Sequence, residues 1–428
     1  MSLLIKDATI VTQDNERKVV RGDVLVEEGK IAAIGDFRSD ADEVIEAKGD
    51  IVMPGLINTH THVAMSVMKA VADDVTFPNF LDTTFAIDSN RMENDLRIGS
   101  KLGMCEMIRS GTTAFVDLYY SQDIIAKAVD DAGIRGVLCW AVLDEEYTTQ
   151  KGNPLDNCKR FHQKHKDMCR VTPGIGLQGV YVCSTETIQA AAELSRDENM
   201  LMHMHLSETR KEVYDHKREH GNRPTEYLED INALSERCLF AHSAWLTVNE
   251  VRALGRNKCS ISSCPVSNMK LATGGVAPIP EMLASNVNVT VGTDGSTTNN
   301  SLDMFGEMKV LSLLQKASRW DPTVLPAQQV LDFATVNAAR AIGMPDLGSI
   351  EVGKKADLVI LDGKAPNLRP LTLKNAVANI VYSANPGNVR TVICDGRPVM
   401  KDWKILTMDE RSVVDESEDA LRYLTSKK

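Results

Sequence analysis

Eight short β-rich runs recur through the middle of this chain, most of them followed by a longer amphipathic stretch, and that alternation restricts it to a parallel sheet covered by helices. The runs lie at residues 51–58, 113–118, 135–142, 172–178, 201–206, 238–242, 259–263 and 287–292, with helical stretches such as 184–196 and 225–235 between them. No Gly-x-Gly-x-x-Gly turn follows the first run, which disfavours an open doubly wound sheet. The expected fold is α/β, a closed (β/α)8 TIM barrel. A chain of 428 residues has room for a barrel of ~250 residues and a smaller module.

Both ends have a different texture. Residues 3–52 read as short strands broken by polar turns, and the same style returns in Gly-Lys-Lys-Ala-Asp-Leu-Val-Ile-Leu-Asp-Gly and in Val-Arg-Thr-Val-Ile-Cys-Asp-Gly. The two ends can pair into one β-module. The charged tail, residues 409–428, is expected to form a solvated helix or to fray.

Charge narrows the partners. With 48 Lys and Arg against 59 Asp and Glu, the formal net charge of −11 repels nucleic-acid polymers and anionic membranes. The first residues lack a basic segment followed by a long apolar core, and no run of about 18 apolar residues occurs, so a cytoplasmic protein is expected. Nine scattered cysteines without a Cys-x-x-Cys pair imply neither a disulfide framework nor a structural zinc site.

Chemistry concentrates where the strands end. His60-Thr-His62 follows the first run, and alternate residues of an extended chain point the same way. His205 ends the fifth run, His242 the sixth, and Asp294 follows the eighth, all at the carboxyl end where barrels build their sites. Three imidazoles and a carboxylate suit Zn2+. His203 points the same way as His205 and competes with it as a ligand, His205 being nearer the catalytic end. Asp294 also suits a turn before Gly295. His162, His165, His216 and His220, in charged helical segments, are expected to be exposed.

The runs Pro54-Gly-Leu-Ile-Asn-Thr-His60-Thr-His62, His205-Leu-Ser-Glu208-Thr, Ala241-His242-Ser, Ser267-Asn-Met-Lys-Leu271 and Gly292-Thr-Asp294-Gly-Ser-Thr-Thr-Asn299-Asn resemble the amidohydrolase superfamily. Within it the chain is most similar to the S-adenosylhomocysteine/5′-methylthioadenosine deaminases, which include 5′-deoxyadenosine deaminases. The resemblance implies a two-part β-sandwich from both chain ends, giving domains at 1–54 and 346–428 around a barrel at 55–345. It implies one divalent metal, zinc or iron, held by His60, His62, His205 and Asp294, with His242 close by, and a homo-oligomer by analogy.

A mechanism follows from charge. A divalent cation lowers the pKa of bound water from 15.7 to about 7, and Asp294 and His242 are placed to accept the released proton. Glu208 would protonate the ring nitrogen beside the amino-bearing carbon and pass a proton to departing ammonia. Its bland alternative is a helix cap.

Three positions depart from the resemblance. Asp88 stands where the family has a ribose-binding glutamate, Trp140 where it has an arginine, and Gln178 where it has a histidine; around residues 148–154 Lys151 is the only cation. Gln178 can still donate a hydrogen bond, and Trp140 offers a stacking face or simply packs in the barrel. The expected substrate is accordingly an adenosine-type nucleoside (5′-methylthioadenosine, 5′-deoxyadenosine or adenosine) rather than S-adenosylhomocysteine. The alternatives are another amino- or chloro-substituted azaheterocycle, of the guanine or triazine type, or a non-enzymatic relative. Two-metal cyclic-amide hydrolases are disfavoured, because residues 176–181 lack their bridging lysine.

Overall fold

The structure, a computed structural model, describes residues 2–37 and 39–426. Eight parallel strands run in chain order, each hydrogen-bonded to the next: Leu56–Thr61, Thr112–Tyr119, Arg135–Val142, Val171–Leu177, Met202–Leu206, Cys238–His242, Ser260–Ser263 and Asn288–Val291. The last returns to the first through the Asp294 N–H, which donates to the His60 carbonyl at 2.9 Å. The TIM barrel is therefore borne out.

Alternation along the strands sorts two layers. Ile57, Ala114, Val116, Val137, Cys139, Leu201 and Leu239 fill the interior, capped from the amino-terminal side by helix Val336–Ala341. Phe115, Leu138, Met202, Met204, Phe240, Ile261 and Val289 belong to the larger core beneath the surrounding helices.

The chain ends do meet. Leu358–Leu361 pairs antiparallel with Ile51–Pro54, joining both ends in one nine-stranded mixed sheet with its own core of Leu3, Ile5, Ile10, Val24 and Ile360. The run at 51–58 is two strands rather than one: the chain passes from sheet to barrel at Gly55, where an added Cβ would lie 2.0 Å from the Thr113 hydroxyl. Arg135, at the foot of the third barrel strand, crosses the junction to Asp357 (2.8 Å) and Asp395 (2.7 Å).

The tail is docked rather than frayed. Helix Glu410–Ser426 buries Val413, Ala420 and Leu424 and reaches helix Glu93–Arg109 through the ion pairs Arg97–Glu416 and Arg109–Glu410; residues 427 and 428 lie outside the described residues. Among the described residues no helix is long and apolar enough to cross a membrane. All nine cysteines are free, and every one except Cys169 is buried.

Candidate metal centre and active site

At the carboxyl end of the barrel four histidine rings crowd together, the His60 centroid standing 4.9 Å from His62, 5.0 Å from His205 and 5.3 Å from His242. Ligand atoms of His60, His62 and Asp294 lie close enough to share one ion, as do those of His60, His205 and His242.

Hydrogen bonds at the far side of each ring decide the tautomers. The Nδ1–H of His62 donates to the Leu118 carbonyl at 2.7 Å, and that of His205 to the Gln178 carbonyl at 2.8 Å. His203 Nδ1–H donates to the Leu239 carbonyl at 2.8 Å, so its Nε2 is an acceptor and takes the Nδ1–H of His60 at 2.7 Å. Each of His60, His62 and His205 thereby turns its Nε2 toward the centre, the nitrogen that carries the lone pair when the ring is neutral. His60 Nε2 is buried without a hydrogen-bond partner, and the Nε2 atoms of His62 and His205 are 3.2 Å apart. Burial holds His60 and His205 well below the ordinary histidine range, so both stay neutral at pH 7.

Asp294 completes the set. Burial opposes its ionisation, but the adjoining His60, then His242 and His62, hold it well below the usual carboxylate range. Its Oδ1 lies 3.5 Å from His60 Nε2 and 3.4 Å from His62 Nε2, and accepts the Gly295 N–H at 2.6 Å; its Oδ2 accepts the Ser267 hydroxyl at 2.6 Å. Three imidazole nitrogens and one carboxylate are the donors a borderline-soft divalent ion such as zinc prefers.

His242 differs. The Asn268 amide donates to its Nδ1 at 3.3 Å, so the proton sits on Nε2, 3.9 Å from the Glu208 carboxylate and 4.0 Å from Asp294 Oδ2. In this tautomer the ring turns an N–H donor toward the site. Ser207, His242 and Asp294 have φ of 48°, 65° and 64°, left-handed turns at or just after strand ends, as at many other non-glycine positions of the chain. Glu208 is pushed up to about 8, by burial and then by the Asp294 charge. It therefore carries a proton at neutral pH.

The remaining expected contacts fare unequally. Gln178 adjoins the centre through its backbone carbonyl on His205. Asp88 is already engaged, accepting the hydroxyls of Tyr119 (2.6 Å) and Tyr120 (2.9 Å) and pairing with Arg91. Trp140 is a correction. It is buried in the outer core with its ring 5.6 Å from Phe161 of helix Pro154–His165, and its indole N–H donates to Gln150 at 2.8 Å, so no stacking face is offered to a ligand. A second correction concerns His162, His165 and His216, which are buried on the inner faces of their helices.

Sequence reasoning missed His203 as the residue that orients His60, and Asn268 and Ser267 as supports of His242 and Asp294. The His-x-His spacing of His203 and His205 is visible in the sequence; that His203 spends its Nε2 on His60 is not.

Comparison with known proteins agrees with this geometry. The model of the Amidohydrolase family matches residues 51–399. Over 410 residues, 95% of each chain, the sequence is 40% identical to a 5′-deoxyadenosine deaminase of Methanothermobacter thermautotrophicus. It is 37% identical over 420 residues, 96% of this chain and 97% of the other, to a 5-methylthioadenosine/S-adenosylhomocysteine deaminase of Moorella thermoacetica. A crystal structure of an adenosine deaminase from Xanthomonas campestris with bound zinc is 28% identical and superposes with a TM-score of 0.94, covering 99% of this chain and 98% of that one.

Proposed function

The chain belongs to the amidohydrolase family of metal-dependent hydrolases, and from that premise we propose that it removes the amino group of an adenosine-type nucleoside, giving the inosine-type product and ammonia. The substrate is 5′-deoxyadenosine, 5′-methylthioadenosine or adenosine in preference to S-adenosylhomocysteine. Its relatives' names support the nucleoside class. The loop after the third strand, with Lys151 as its only cation, supports the exclusion of a carboxylate-bearing side chain.

We assign one metal ion, zinc before iron, to His60, His62, His205 and Asp294. When bound, such an ion supplies the Lewis acidity that brings the pKa of water to about 7. Asp294, ionised and next to that position, takes the proton of the attacking water. His242 donates its Nε2–H to the oxygen added at the ring carbon. Glu208 gives its proton to the adjacent ring nitrogen, then recovers the proton that Asp294 took from water and passes it to the leaving amine. The C–N bond of that amine breaks as the added hydroxyl becomes the carbonyl and returns its own proton to Glu208. Asp88 and Gln178 line the substrate's side of the site, with small-molecule substrate and water as the partners and the cytoplasm as the compartment.

One observation carries this reading: the Glu208 carboxyl stands 3.9 Å from His242 Nε2, at the point where His60, His62, His205 and Asp294 converge. The test is ammonia release from 5′-deoxyadenosine, 5′-methylthioadenosine, adenosine, S-adenosylhomocysteine, guanine and an aminotriazine. The three small nucleosides should lead. Preferential turnover of S-adenosylhomocysteine or of a free base would overturn the assignment.

A further inference from the structure

The turn that carries Glu208 is held by a residue outside the reaction. After strand Met202–Leu206, Ser207 adopts a φ of 48° without glycine's freedom, a conformation that persists only where its surroundings fix it. Glu212, in the first turn of helix Arg210–His220, does the fixing. Its Oε1 accepts the N–H of Ser207 and its Oε2 the N–H of Glu208, both at 2.8 Å. Thr209 closes the arrangement, its hydroxyl accepting the Glu212 N–H at 3.1 Å.

A glutamate at this helical position ordinarily reaches back to the N–H of the cap residue. Here the bonds extend past the cap, Thr209, to the two residues before it, and one of these is Glu208 itself. We propose that Glu212 is a positioning residue for the reaction: by gripping the N–H groups of Ser207 and Glu208 with its two carboxylate oxygens, it sets where the Glu208 carboxyl stands relative to His242 and Asp294. This rests on the reading of Glu208 as the proton donor. Both oxygens are needed together. Glutamine at 212 keeps one acceptor and turns an N–H2 group toward a backbone N–H, while aspartate is a methylene too short to span both donors.

The test compares the full-length, metal-loaded protein with E212Q, E212D, E208Q and the E208Q/E212Q double variant, reading ammonia release from 5′-deoxyadenosine, metal content and melting temperature. A displaced donor should lower kcat of E212Q by roughly 10- to 100-fold, with KM within about threefold and metal unchanged. E212D should fall between E212Q and the parent, and keeps the test open if E212Q folds poorly. The double variant should be no slower than E208Q, because positioning a side chain that has already lost its proton has no further effect. Unchanged kcat in E212Q overturns the proposal. A loss that multiplies with that of E208Q does so too, by marking Glu212 as a structural residue. Full activity in E208Q would bring down the reading of Glu208, and the proposal with it.

Discussion

His62 and His205 bring their Nε2 atoms to within 3.2 Å of one another, each ring turned by a carbonyl that holds its other nitrogen. Two ligand nitrogens at that separation, beside Asp294, are placed to share one cation. Chelation should therefore abolish turnover and also lower the melting temperature, the bound ion stabilising the fold by ~4 kcal/mol when free metal stands 1,000-fold above its Kd. One equivalent of zinc should restore both. Recovery that needs two tightly bound ions per chain would contradict the single-ion assignment.

His203 fixes the tautomer of His60 through a buried contact of 2.7 Å while standing outside the set of ligands. Substitution His203→Leu should leave the fold intact but weaken metal affinity by roughly 10- to 100-fold, because the His60 ring loses its orientation. Competition against a fluorescent chelator measures this. Affinity equal to that of the parent would show that His60 is held by packing alone.

The barrel, and the gathering of His60, His62, His205, His242 and Asp294 at its carboxyl end, were legible because strand ends and His-x-His spacing are local signals. The helpers were not, for physical reasons. His60, His203 and Leu239 come from three strands, and only the pairing of strands five and six brings the Leu239 carbonyl to His203. Trp140 was misread because the third strand, Arg135–Val142, is buried along both faces. With no polar side to set the alternation, its parity is invisible in sequence. His165 and His216 were taken for exposed residues from the charge around them, yet helical spacing puts Phe161 beside His165 and Val213 beside His216 on the inward face.

The protonated Glu208 predicts a pH dependence. With its carboxyl at about 8, kcat/KM should fall as pH rises through about 8, when the proton donor is lost. Stability follows the same group. Between the ordinary value of 4.5 and about 8 the folded state binds more protons at Glu208 than the unfolded state, so stability declines as pH rises across that window. Substitution Glu208→Gln should lower turnover by roughly 10²- to 10⁴-fold with metal retained, and raise the melting temperature at pH 8 relative to the parent but not at pH 4. An alkaline limb of unchanged position in that variant would assign the titration to another group.

Trp140 separates a packing role from a recognition role. Its ring lies against Phe161 and its N–H is tied to Gln150, whose own amide donates to the Ala141 carbonyl at 2.9 Å, so the indole fastens the loop after the third strand to the strand itself. Trp140→Ala should cost ~3–5 kcal/mol of stability as a cavity opens in the outer core. Trp140→Phe keeps most of that volume and loses one hydrogen bond worth ~1 kcal/mol. Neither change removes a surface that substrate touches, so the folded Phe variant should keep the parent's KM for each nucleoside and the same order of preference among them. Steady-state kinetics alongside urea unfolding distinguish the two roles: a rise in KM of more than about tenfold, equivalent to 1.4 kcal/mol of lost binding, would place the indole against the purine after all.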